Sequence, residues 1–104
     1  MAQATGIIEV FGLAAAFVAL DAGCKAANVT VETLDKNKPG NADALPVPLI
    51  VLVKFRGTVE DVKAAMEAAE RAASDLTGVV SQHIIANTES STEKMLKLNA
   101  FDKK

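Results

Sequence analysis

The sequence predicts an α/β fold of the α+β type: a ferredoxin-like βαββαβ chain with an antiparallel four-stranded sheet, two helices on one face and a short C-terminal helix. Three observations predict it. Extended and helical patterns follow one another as strand, helix, strand, strand, helix, strand, the order of the split βαβ unit. Half of the 104 residues are hydrophobic but only 4% are aromatic, all of them Phe, so the core must use small aliphatic side chains that let helices lie close on a sheet. The length suits one domain over residues 1–104, with its core at about 6–86 and a tail helix at about 90–99.

Each element has its own signal. Gly6 to Gly12, "GIIEVFG", is short, β-branched and aromatic, and bounded by glycines, which reads as a strand. Leu13, Phe17, Leu20 and Cys24 then recur at helical spacing and predict the buried stripe of a helix from about Leu13 to Ala27, which Asn28 ends in a left-handed conformation. "VTVETL", Val29 to Leu34, is the second strand by its Val and Thr content. In "PLIVLVKFRG" the run from Leu49 to Val53 is apolar on both faces, as in a strand covered on both sides; it should be central or lie under another subunit.

The clearest element is "GTVEDVKAAMEAAERAASDLTG". Thr58 can cap it, Glu60 and Asp61 complement its positive start, and Gly78 stands where it should stop. Val59, Val62, Met66, Ala69, Ala73 and Leu76 make its apolar stripe. "GVVSQHIIA" is the fourth strand. Ser90 and Glu93 have the spacing of a capping box opening a tail helix through about Leu98, with Met95 and Leu98 on one face. Helices on one face leave the other open. The tail, or another chain, should cover it; the tail's own face could equally dock on its domain, on a neighbour or on enclosed cargo.

Few kinds of chemistry survive a reading of the composition. The net charge is −2, and no basic block exceeds Lys103-Lys104, which argues against nucleic acid as a partner. The Leu13 to Leu20 run is too short to span a bilayer and no basic segment precedes it, so a soluble, cytoplasmic chain without a membrane partner is expected. Cys24 is the one cysteine and His83 the one histidine, so neither an internal disulfide nor a zinc site within one chain can be assembled. His83 reads as a structural residue of the fourth strand and Cys24 as a small hydrophobe. The glycines fit neither a dinucleotide fingerprint nor a P-loop. No catalytic residue, metal or cofactor is assigned.

Spaced motifs carry a resemblance to a known family. "GIIEVFGLAAAFVALDAGCKAANV" resembles the opening of the bacterial microcompartment shell proteins of the single-domain, hexamer-forming type, whose members begin with a G-I-E-x-x-G strand and reach a D-x-x-x-K-A-A-N-V segment. "VKFRGTVEDVKAAMEAAERAA" and "GVVSQHIIA" are similar to that family's strand, RG turn, alanine-rich helix and V-x-x-H-V-I strand. The likeness runs from Gly6 to about Leu98 in the unpermuted order.

The resemblance implies the fold above and a homohexamer with a central pore, tiling edge to edge with other shell proteins into a wall that encloses enzymes and passes small polar metabolites. Lys25 falls on the motif's edge lysine, with Asp21, Ala26 and Asn28 beside it; a long aliphatic stem can bury area while its ammonium reaches a carbonyl across a seam. Two departures stand out. Asn87 occupies the place of the edge arginine in the family's I-P-R-P, so its planar donor fork is lost. Where the family has a short K-I-G-S-G-L pore turn, this chain continues from Lys36 into "NKPGNADALPVP", several residues longer and holding all three prolines.

Six such loops around an axis would place Lys36, Asn37, Lys38, Pro39, Gly40, Asn41, Ala42 and Asp43 at a polar, mixed-charge rim, with the prolines restricting its mobility. A longer loop of this kind resembles a subgroup linked to glycyl-radical enzyme compartments, some of which hold an iron–sulfur cluster on a pore cysteine. This loop has no cysteine, so no cluster is expected. Two other classes share the fold plan: a small ligand-binding regulatory oligomer and a dimeric ferredoxin-like enzyme.

Overall fold

In a computed structural model that describes residues 3–45 and 47–99, the strand and helix order is as expected. Strand β1 (Ala4–Phe11) leads to helix α1 (Leu13–Ala26), strands β2 (Thr30–Asn37) and β3 (Ile50–Gly57), helix α2 (Val59–Leu76), strand β4 (Val79–Ile85) and helix α3 (Ser90–Leu96). The strands form one antiparallel sheet in the order β2-β3-β1-β4, so β3 is interior, as its apolar run requires. Pro46 of the long loop and the terminal lysines lie outside the described residues.

The side chains of β3 alternate between two environments, as the pleat dictates. Val51, Val53 and Phe55 join Ile8 and Val10 of β1 in a fully buried core beneath the helices. From α2 that core takes Val62, Ala65, Met66, Ala69 and Ala73, close to the expected stripe, except that Leu76 at the helix end is exposed. Thr58 caps α2 as predicted: its Oγ1 accepts the Asp61 N–H at 3.1 Å. Gly78 closes the other end at φ 126°, a conformation an L side chain rarely adopts, with its N–H donating to the Ala73 carbonyl.

Helix α1 departs from expectation. It buries Ala15, Ala16, Ala19 and Gly23, whereas Leu13, Phe17 and Cys24 are exposed and Leu20 is only partly covered. The reason is space. At Gly23 an added Cβ would lie 2.5 Å from Cζ of the fully buried Phe55 and 3.2 Å from the Ala65 carbonyl oxygen, so only a small-residue face lets α1 come this close. Larger side chains are turned outward.

Three local expectations are also corrected. No described residue other than glycine has positive φ; α1 ends instead at an extended Ala27, and Asn28 donates its N–H to Asp61 Oδ1 at 3.4 Å. Strand β2 runs on through Asn37, because Lys36 and Asn37 pair with Val51 and Ile50 of β3, so the loop starts at Lys38. Helix α3 is capped by Glu89, whose carboxylate accepts the Ser91 N–H, and not by a Ser90–Glu93 box, because Glu93 is engaged on the sheet.

Close packing at Gly23 predicts the effect of a methyl group there. Gly23→Ala gains about 1 kcal/mol of helix propensity but overpacks against Phe55, a cost of about 1–3 kcal/mol, so differential scanning calorimetry should record a lower Tm.

Candidate functional site

Strand register sorts the sequence-assigned residues into two groups. β3 ends at Gly57 opposite Ala4, β2 begins at Thr30 opposite Arg56, and β4 ends at Ile85 opposite Thr5, so Asn28 and Asn87 lie at the same end of the sheet, beside its two edge strands. The Asn28 carbonyl sits against Gly57 there, and Thr88, next to Asn87, is fixed by a buried 2.7 Å hydroxyl pair with Thr5 and by its N–H to the Gln3 carbonyl. At the opposite end, Asn37 pairs with Ile50 and Ile50 with Phe11, and the long loop bridges β2 and β3. Eight-residue strands separate the two ends by about 26 Å.

At the first end the four-residue spacing of Asp21 and Lys25 stacks them on one face of α1, where they pair at 2.7 Å with both side chains mostly exposed. The hydrogen bond and charge of Asp21 raise the Lys25 ammonium above its ordinary pKa. Ala26, Asn28 and Asn87 are exposed beside the same sheet end. Cys24, next in the chain, is exposed as well. Partial burial and the Asp21 carboxylate push its thiol up, the direction opposite to that of an activated nucleophile.

The loop end is polar. Lys36, Asn37, Lys38, Gly40, Asn41 and Asp43 are exposed and Pro39 is half-buried; a single 3₁₀ turn at Ala42–Ala44 is closed by the Ala44 N–H on the Asn41 carbonyl. The loop is tied back to the helix layer where the Gly12 N–H donates to the Leu49 carbonyl at 2.8 Å. His83 lies exposed on edge strand β4, opposite Ile7. Among the described residues no three His, Cys, Asp or Glu side chains converge as metal ligands, and no helix is long and apolar enough to cross a membrane.

Two features escaped the sequence reading. Leu13 (38% exposed), Phe17 (54%) and Val18 (44%) form an apolar strip on α1 next to the loop end. With Leu34 and Asn99, Leu13 and Phe17 line an open pocket of about 280 Å³. Leu13 and Phe17 carry a helical periodicity that reads as core, whereas Val18 lies outside that periodic stripe.

The second feature is the sheet face away from α1 and α2. Lys54 and Arg56, only 3% and 5% exposed, project there and are covered by α3. Arg56 Nη1 and Nη2 donate to the two oxygens of Glu93, each at 2.6 Å, and Nη1 also reaches Glu32 at 3.2 Å. Lys54 Nζ donates to the carbonyls of Leu96 and Leu98. An irregularity in β2 assists: from Val31 to Leu34 the strand spends one residue more than β3 does from Phe55 to Val53, which sets both Glu32 and Thr33 opposite Lys54 on this face. Cations alternating with Val53 and Phe55 in an interior strand were the available signal, since buried charge demands partners.

Comparison with known proteins agrees with this architecture. The BMC domain family description matches residues 4–88. The chain is 36% identical over 94 residues to the bacterial microcompartment shell protein PduA of Citrobacter freundii, covering 90% of this chain and 91% of that protein. It is likewise 36% identical over 94 residues to the PduA shell protein of Salmonella typhimurium, covering 90% of each. A solved microcompartments protein from Desulfitobacterium hafniense DCB shares the fold at TM-score 0.70 and 23% identity over 93% of this chain, which spans 48% of that structure's length.

The exposed Asp21–Lys25 pair should matter little for folding, because solvent screens such pairs. Asp21→Asn is expected to leave Tm unchanged in thermal unfolding at physiological salt.

Proposed function

The chain belongs to the BMC domain family, and from that premise we propose that it is a structural, non-enzymatic subunit of a bacterial microcompartment shell in the cytoplasm. In this reading six copies form a ring. The Lys38 to Pro48 loops, with Lys36 and Asn37 at the adjoining end of β2, surround the axis, and the edge formed by Asp21, Lys25, Ala26, Asn28 and Asn87 meets neighbouring hexamers or other shell proteins, closing a wall around enzymes.

The observation that carries this reading is the separation of the two groups to opposite ends of the strands, since one domain can then present its loop to an axis and its edge to the periphery at once. The apolar strip of Leu13, Phe17 and Val18 supports association near the loop end, where subunits around an axis would be in contact. Exposed Asn37, Lys38, Asn41 and Asp43 would line a polar, mixed-charge opening. Repeated weak contacts with such a rim let small polar metabolites enter and leave, whereas a single tight site would hold them.

At the periphery the stem of Lys25 would lie along the seam with its ammonium on a carbonyl of the neighbour. Asn87 offers that seam a weaker donor than an arginine fork. Lys25→Ala should therefore abolish the sheets or hexagonal arrays seen by negative-stain microscopy of concentrated protein while leaving hexamers intact; unchanged arrays reject the edge assignment. Replacing the loop by a short glycine-containing turn should change the passage of small polar solutes through assembled shells without lowering the thermal stability of the hexamer. Equal passage would remove the loop from the pore.

A further inference from the structure

Helix α3 has seven residues, fewer than an isolated helix needs to persist in water, so its order comes from the sheet beneath it. Three contacts hold it. At its middle the carboxylate of Glu93 sits in the fork of Arg56. At its last residue the carbonyl of Leu96 accepts from Lys54 Nζ at 3.1 Å and from Thr33 Oγ1 at 2.8 Å, and just past its end the carbonyl of Leu98 accepts from the same two groups at 2.8 and 3.2 Å. The side chain of Leu96 is the buried apolar anchor, while Met95 and Leu98 are more than half exposed.

The attachment is thus mainly polar, and its polar groups have somewhere to go when it opens. Water can reach Lys54 and Arg56 once the tail lifts, and each cation keeps an acidic neighbour from β2: Glu32 for Arg56 at 3.2 Å and Asp35 for Lys54 at 3.9 Å. Opening therefore avoids the large cost of stranding a buried charge. The main apolar core lies on the other face of the sheet and contains no residue of α3.

We infer that residues 90–98 are a releasable strap, latched by Glu93 on Arg56 and clasped by Lys54 and Thr33, which opens without unfolding the domain and uncovers both cations on the sheet face.

Acid should favour the open form. Hydrogen bonding from Arg56 holds the Glu93 carboxyl below its ordinary range, with the charges of Arg56 and Lys97 in the same direction and partial desolvation opposing. A depressed carboxyl stabilises the closed strap fully above its unfolded pKa and loses that contribution as pH falls through the lower folded value. Among the described residues, the other charged or titratable groups on this face of the sheet are Glu32 and Asp35 of β2, Lys54 of β3 and, by their register with Lys54 and Leu52, His83 of β4 and Glu9 of β1.

The test is native-state hydrogen exchange followed by NMR on the full chain. It compares the amides of Lys97 and Leu98, bonded to the carbonyls of Lys94 and Met95, with those of Ile8 and Val53 in the sheet. Removing a charge-assisted bond in Glu93→Gln should speed exchange at Lys97 and Leu98 by about tenfold and leave Ile8 and Val53 unchanged. Thr33→Val, which leaves the ion pair intact, should also speed the tail selectively. Acidifying the unaltered chain should do the same after correction for intrinsic rates. Tail exchange unchanged in both variants would overturn the inference, and so would equal acceleration of tail and sheet, because the strap would then open only with the whole domain.

Discussion

The architecture depends on the closeness with which α1 approaches the sheet. Gly23 leaves no room for a larger side chain above Phe55, and the buried face of the helix is completed by the small residues Ala15, Ala16 and Ala19. The consequence lies on the other side of the helix. Leu13, Phe17 and Val18 are surplus to the core and face outward. Covering what they expose would contribute about 1 kcal/mol each, taking roughly half of the 1.5–3 kcal/mol for complete burial of such a side chain. Association costs about 4–15 kcal/mol in lost freedom, so this strip alone does not hold two copies together. Closing a ring adds only one interface beyond an open chain of the same number of copies, so in any assembly this strip must act together with further contacts.

The second face of the sheet solves a different problem. An antiparallel sheet with helices on one side leaves its other side to water, to a partner or to its own tail. Here β3 brings Lys54 and Arg56 to that side, and the tail meets them with one carboxylate and two free carbonyls. The extra residue in β2 is part of the same solution, since it turns Glu32 and Thr33 together toward the tail while keeping Val31 and Leu34 on the core side. Arg56 also donates from Nε to the Ala4 carbonyl, tying the tail's anchor to β1.

Legibility from sequence followed the range of the forces involved. α2 could be read almost residue by residue, because its cap at Thr58, its stop at Gly78 and its apolar spacing are all encoded within a few positions. The order of strands, and the interior place of β3, followed from local composition. What failed depended on contacts distant in sequence. The outward turn of Leu13 and Phe17 is decided by Phe55, and the departure of Glu93 from a capping box is decided by Arg56. The loop and edge residues could be named from family motifs, but their separation to opposite ends required the strand register. The extension of β2 through Asn37 was hidden because a run such as "DKN" carries no strand propensity and pairs only because β3 continues alongside it.

In the proposed assembly, six copies of this domain associate around an axis, so that a loop that does little in one copy becomes a collar in six. Sedimentation equilibrium of the unaltered chain tests it most directly. The account predicts a species six times the 10.8 kDa chain, persisting on dilution; a monomer or dimer across the whole concentration range would contradict it.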